Sequence, residues 1–465
     1  MSRPVRRVPA AALCALALTA CVSGVHGTPG GAEGVHDPYF PKAGNGGYDV
    51  THYALTLSYD PGSHHLTGNA VITARATQDL SAFDLDLKGL HVDEVTVAGK
   101  RARFNRTGQE LTVRPRDDLH RGKTFRTEVR YAGSPETITD PDGSKEGWLR
   151  TADGALALGQ PVGSMAWFPG DHQPADKASY DIAVTVPRGL QVVSNGELRS
   201  ESTARGRTTF RWRTAEPMAS FVATVAIGRY DITRTTIAGH LPEYTAVDPA
   251  RRRASEQVLA KIPEITRWGE RTFGPYPFSS TGAVVDRADD LGYAALETQN
   301  RPVFPGAPDT GTLVHELAHE WYGDSVTPKS WQDVWLSEGF ATYAEWLWQE
   351  DHGGRTAQAT FDALYDHGER TYADLWSFPP AEPSDAAHLF EDPVYQRGAM
   401  VLHKIRQKVG EDTFRAIVRG WAADHRHGVA DTADFTAYVE KKAPDKNFDA
   451  IWSEWLYGEG RPDRP

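Results

Sequence analysis

Cysteine is nearly missing from this chain: there are two in 465 residues, at positions 14 and 21. Cys14 falls within an apolar N-terminal run that reads as a removable leader, so at most one cysteine is left and no intramolecular disulfide can form. Packing, or a bound ligand, must hold the fold. A basic excess is also missing. Lys and Arg number 50 against 62 Asp and Glu, a net charge of −12, which removes the electrostatic footprint of a nucleic-acid partner. Val8 to Ala20 is apolar but too short to span a bilayer. No internal repeat is present. Low complexity is confined to residues 22–36, a glycine-rich stretch without apolar periodicity.

What is present begins with a processing signal. Arg3, Arg6 and Arg7 form a positive region ahead of the apolar run. Leu18-Thr19-Ala20-Cys21 resembles the lipobox of bacterial lipoproteins, in which Cys21 becomes the first mature residue and carries the lipid. The alternative is simple secretion after cleavage at a nearby small residue. Both readings export the protein, leaving it lipid-anchored at the membrane or released. Residues 1–20 are thus read as a signal peptide and 21–36 as a flexible tether, with a reach of roughly 20 Å.

The composition, 40% hydrophobic, 24% charged and 10% aromatic, is that of a globular protein, and the length calls for two or three domains. From Tyr48 the texture is strict alternation. Tyr53, Leu55, Leu57 and Tyr59 fall on one strand face. Val92, Val95 and Val97, Leu111 and Val113, then Phe125, Val129 and Tyr131 repeat the pattern, as do Ile182, Val184 and Val186, and Val222, Thr224 and Ala226. Residues 37–233 are therefore read as an all-β, sheet-on-sheet domain. After about residue 250 the period changes. Val258, Leu259, Ile262, Ile265 and Trp268 are spaced for a helix over Ser255–Phe273, turned or kinked at Pro263 and stopped by Gly274-Pro275-Tyr276-Pro277. Helical segments dominate from there, giving a second domain over 234–465. Trp331, Trp335, Trp346 and Trp348 are expected in the core.

His315-Glu316-Leu317-Ala318-His319 carries the chemistry. It lies in a predicted helix over 312–321, with Thr312 as N-cap. Residues i and i+4 share a helix face, about 6 Å apart at Cβ, so His315 and His319 can reach one metal ion. Glu316 then sits beside the metal, where a carboxylate can take a proton from a bound water. Glu338 is the candidate third ligand, placed in the first turn of a helix capped by Ser337. Two His and one Glu leave a zinc ion one open position.

These residues resemble the aminopeptidase N family of zinc metallopeptidases, which includes leukotriene hydrolase. The spacing from His319 to Glu338 is similar to that family, as are Trp321-Tyr322-Gly323-Asp324 and Trp331-Gln332-Asp333-Val334-Trp335-Leu336. The resemblance runs from Asp49 to Tyr457. Ala294-Ala295-Leu296-Glu297-Thr298 stands where the family has its Gly-x-Met-Glu-Asn motif, with Ala294 in place of Gly and Thr298 in place of Asn. It implies that Glu297 grips the substrate's free α-amino group. Gln160, ahead of Trp167-Phe168-Pro169-Gly170-Asp171, matches the family residue that assists in holding that amine. Tyr395, in Tyr395-Gln396-Arg397-Gly398-Ala399, matches the tyrosine that hydrogen-bonds the oxyanion.

The resemblance implies an N-terminal β domain followed by a thermolysin-like α+β, mainly helical catalytic domain, one Zn2+ per chain, and hydrolysis of the first peptide bond of peptides with a free N-terminus. Larger members add a C-terminal helical domain over the active site. The end at Pro465, soon after the catalytic helices, implies that this cover is missing and that the cleft is more open. A membrane is met only through the possible lipid at Cys21. Two other readings stay open: an endopeptidase with the same zinc chemistry, and a non-catalytic binding lipoprotein.

Overall fold

A computed structural model describes residues 28–288 and 291–463. The expected signal peptide, Cys21 and the first part of the tether lie outside the described residues. The alternating runs form strands as their pattern requires. Tyr48–Asp60 pairs antiparallel with His65–Ala76 and parallel with Lys177–Pro187, setting Leu55 opposite Ile182 and Leu57 opposite Val184. These strands sit inside an eight-stranded sheet. Tyr53, Leu55, Leu57 and Tyr59 all point inward and are buried, as a two-residue period with one apolar face dictates. A five-stranded sheet, whose strands include Lys145–Arg150, Ala155–Leu158 and Val225–Gly228, packs against it, and a three-stranded sheet adds Phe83, Leu85, Leu111 and Val113 to the same core.

Two expectations change here. The tether is not free from Thr28 onward. Gly31 N donates to Ala82 O at 2.8 Å, Ser81 N to Pro29 O at 2.9 Å, and Gly46 N to Ala32 O at 3.0 Å. Small side chains let this segment lie flat on the β domain and satisfy its backbone there. The run Val222, Thr224, Ala226 is also no single strand. Val222 ends a 3-10 turn, and Thr224 N donates to the Asn195 side chain at 2.8 Å; the strand starts at Val225.

The second domain opens on a four-stranded mixed sheet. Asp231–Ile237 pairs with Leu241–Val247, which runs parallel to Thr281–Val285, followed by Val303–Phe304. The change of sheet thus falls between Gly228 and Asp231. Helices follow: α1 (Arg252–Leu259), α2 (Ile262–Phe273), α3 (Thr310–His319), α4 (Trp335–Asp351), α5 (Ala357–His367), α6 (Gly398–Val409), α7 (Glu411–Asp424) and α8 (Thr432–Lys442). The helix expected over 255–273 is two helices, with Pro263 in the first turn of α2, where its missing N–H costs nothing.

Three contacts place the site. Gly339 of α4 meets Gly398 of α6 so closely that a Cβ on Gly339 would lie 3.0 Å from the Gly398 carbonyl carbon, which brings those helices together without intervening side chains. Arg397, fully buried, donates to Trp455 O, Phe378 O, Glu454 O and Gly458 O, tying the segment before α6 to the C-terminal residues. Lys177 of the β domain sends its Nζ to Asp324 O (2.8 Å), Ser325 O (3.0 Å) and Gly428 O (3.3 Å) of the helical domain. One continuous apolar core runs through both domains, and Trp331, Trp335, Trp346 and Trp348 are buried in it.

Candidate metal centre and substrate cleft

α3 is capped three residues earlier than its sequence pattern suggests. Asp309 is the N-cap: its carboxylate accepts from Thr312 N at 2.8 Å and Thr312 Oγ1 at 3.1 Å. An aspartate at this position outcompetes Thr312, which lies in the first turn instead. The helix ends at His319 rather than at Trp321. His315 and His319 share its inner face, rings 4.8 Å apart between centroids. α4 also starts early, at Trp335. Glu338 stays in its first turn, while Ser337 is an internal helix residue and not a cap.

His315, His319 and Glu338 converge. Glu338 Oε2 lies 3.3 Å from His315 Nε2 and 3.4 Å from His319 Nε2, and the three ligand atoms are within 4.8 Å of one another. A tetrahedral ion with arms of ~2.05 Å separates neighbouring ligand atoms by ~3.3 Å, so these residues fit zinc. The outer ring nitrogens are engaged elsewhere. His315 Nδ1 lies 2.8 Å from Glu345 Oε1, and His319 Nδ1 lies 3.0 Å from Tyr322 O and 3.1 Å from Ser337 Oγ. With Nδ1 engaged outward in each ring, Nε2 is the nitrogen left to face a metal, the arrangement a metal-binding imidazole needs.

The electrostatics agree. Burial works against charge on every group, yet the two histidines acting on Glu338 hold its carboxyl down to about 2. Burial lowers His319, but Glu338 and Glu297 outweigh it and lift the imidazole to about 9; hydrogen bonds to Glu338 and Glu345 raise His315 in the same way. The pocket attracts positive charge. Glu316 is driven up to about 8 by burial, with Glu297 and Glu338 adding to the rise against the two histidines. Its Oε2 is buried without a hydrogen-bond partner among the described residues. Glu297 rises too, first by burial and then by Glu338.

Glu297, Glu316 and His319 also bring carboxylate and ring atoms within 4.8 Å of one another, so the second acid stands directly beside the metal position. Gln160, from the β domain, donates its Nε2 to Glu297 Oε1. Tyr395 stacks on His315, centroids 6.0 Å apart and planes 20° apart. These residues line a cleft of about 630 Å3 between the two domains, and no Lys or Arg among the described residues lines it. The structure thus brings together His315, His319, Glu338, Glu316, Glu297, Gln160 and Tyr395; Cys21 lies outside the described residues.

Several site residues are not evident from motif reading. Glu345 follows Glu338 by two helical turns and so shares its face, a signal that was available. Tyr322 contributes a backbone oxygen, which no side-chain pattern reveals. Tyr293 and Phe390, which also line the cleft, carry no motif of their own.

Residues 308–455 match the Peptidase family M1 domain and residues 49–222 the Peptidase M1 N-terminal domain. The chain is similar to "Probable aminopeptidase 1" of Sulfurisphaera tokodaii, 23% identical over 460 residues, covering 89% of this chain and 53% of that protein. It spans about half the length of the curated relatives it matches. The M1 zinc metallopeptidase of Deinococcus radiodurans superposes with a TM-score of 0.83 at 29% identity, covering 93% of this chain and 98% of that one. A glutamate-to-alanine mutant of the Deinococcus enzyme, bound to a Tyr-Ser-Ala substrate, superposes at 0.85 with 28% identity, covering 93% and 99%.

Proposed function

This chain belongs to peptidase family M1, and from that membership we propose that it is a zinc aminopeptidase that removes the N-terminal residue of peptides. The observation that carries the reading is the pair of separations, 3.3 and 3.4 Å, from Glu338 Oε2 to the two imidazoles. They are the edges of a tetrahedral site held by His315, His319 and Glu338.

When bound, zinc would supply Lewis acidity, polarising the scissile carbonyl and making water acidic enough to attack at neutral pH. The chain's own residues do the rest. Glu297, steadied by the Gln160 amide, accepts charge-assisted hydrogen bonds from the substrate ammonium. Because that anchor stands a fixed distance from the metal position, only the first peptide bond is aligned. Glu316, which lines the cleft beside His319, takes the proton of the attacking water and passes it to the leaving amine. The Tyr395 hydroxyl donates to the oxyanion as it develops.

An endopeptidase would share His315, Glu316, His319 and Glu338 but would need room for chain on the N-terminal side of the cut. Glu297 and Gln160 stand in that space. Aminoacyl-anilides should be cleaved and the activity lost with a chelator, while N-acetylated peptides stay intact. Cleavage of blocked peptides at comparable rates would favour the endopeptidase.

We also propose export. Arg3, Arg6 and Arg7 ahead of an apolar run, then Leu18-Thr19-Ala20-Cys21, support a leader with lipid attachment at Cys21. Metabolic labelling with a fatty acid, lost in Cys21→Ser, tests the anchor against plain secretion.

A further inference from the structure

We infer that Glu146 is a positioning residue that holds Gln160 against Glu297 and thereby sets the grip on the substrate's α-amino group; this rests on the aminopeptidase reading above. Glu146 lies in the β domain, in the strand Lys145–Arg150, with 0% of its surface exposed. Its Oε2 accepts from Gly163 N at 2.6 Å and Val162 N at 3.0 Å. These are the first two donors after Gln160, since Pro161 has no N–H. A Cβ at position 163 would fall 2.3 Å from Leu158 O and 2.5 Å from Gly147 N as well as 2.7 Å from Glu146 Oε2, so the loop packs this tightly against the strands and the carboxyl only with glycine there.

The neighbouring residue of the same strand holds the other half of the grip. Lys145 N donates to Leu291 O at 3.0 Å, and Lys145 O accepts from the Tyr293 hydroxyl at 3.0 Å. Tyr293 precedes Glu297 by four residues. Two adjacent residues of one strand therefore fix both segments, Glu146 through its side chain and Lys145 through its backbone. The spacing between Gln160 and Glu297 is set from this strand.

A carboxyl without exposure is an expensive way to tie a loop unless the tie matters. Its charged neighbour is another acid, Asp140, and burial together with Asp140 pushes Glu146 well above the ordinary carboxyl range. Glutamine keeps an oxygen at the same place that can accept the same two backbone N–H groups.

The test is a double-mutant cycle on full-length, zinc-loaded protein, with an aminoacyl-anilide as substrate. Glu146→Ala should raise KM roughly tenfold, the loss of about one hydrogen bond to a charged group, with kcat changed less than about twofold. Glu146→Gln should stay near wild type. In a Gln160→Ala background Glu146→Ala should add nothing, because it acts through Gln160. If the alanine variant lacks a melting transition or zinc, Glu146→Asp replaces it. That change keeps the acid but withdraws it by a methylene, and should show the same KM-only rise that vanishes without Gln160. An equal rise in KM with and without Gln160, or folded variants with unchanged KM, would overturn the inference. Failure of the wild type to cleave any free-amine anilide would instead sink the aminopeptidase reading.

Discussion

Glu345 Oε1 stands 2.8 Å from His315 Nδ1, on the side of the ring away from the metal position. The carboxylate fixes which nitrogen carries the proton and makes Nε2 a stronger donor to a cation. Glu345→Ala should therefore weaken zinc binding ~10–100-fold, whereas Glu338→Ala should leave too few ligands to retain the ion through dialysis. Competition against a chelator of known affinity measures the first; elemental analysis measures the second. Normal zinc content in Glu338→Ala would remove it from the ligand set.

Glu316 is one residue from a ligand yet contributes no atom to the His315, His319, Glu338 cluster. Glu316→Gln should keep its zinc and lose ~10²–10⁴-fold in kcat. Retained turnover in a zinc-replete protein would refute its role as base.

The Tyr395 ring lies flat over His315. Tyr395→Phe preserves that stacking and removes only the hydroxyl. The expected result is a ~10²–10³-fold fall in kcat with KM little changed. A fall confined to KM would mean that the phenol binds substrate and does not stabilise the oxyanion.

His403 gives the fold an acid-side weakness. It is buried between Tyr343, whose hydroxyl lies 3.0 Å from Nδ1, and Gln358, whose Oε1 lies 3.0 Å from Nε2. That pair suits a neutral ring. Burial, then Arg406, lowers its pKa from 6.5 to about 4. The unfolded chain takes up a proton first as pH falls, so this contribution is complete above pH 6.5 and drains away toward pH 4, by on the order of 3 kcal/mol. Replacing His403 with asparagine removes this titration, so the wild-type minus mutant stability difference should shrink as pH falls across that window. Denaturant melts at pH 7, 5.5 and 4 would show it; a difference that does not vary with pH would refute it.

The sequence pattern makes the strands legible because burial on one face imposes alternation locally, residue by residue. His315, Glu316, His319 and Glu338 were legible for a similar reason: one helix turn and one later turn suffice to bring them together. Helix starts were less so. Asp309 and Thr312 are both good caps, and only the path of the incoming chain decides between them. Val222 looks like a strand residue because alternation ignores the turn that Asn195 imposes from elsewhere in the chain. The backbone oxygen of Tyr322, only three residues from His319, belongs to no side-chain pattern, and the carboxyl of Glu146 acts on a loop more than a dozen residues away.

Lys177 bears on what could be exchanged among relatives. Its ammonium terminates three backbone carbonyls of the helical half, and the Gln160 amide reaches the same half at Glu297. A helical half made alone would lose the lysine from all three carbonyls, keeping the Thr327 hydroxyl on Asp324 O and Thr327 N on Gly428 O, and would leave the amine anchor without its brace. Grafting the β half of another peptidase onto this one would succeed only if the graft carried a lysine and a glutamine at the same heights above the seam.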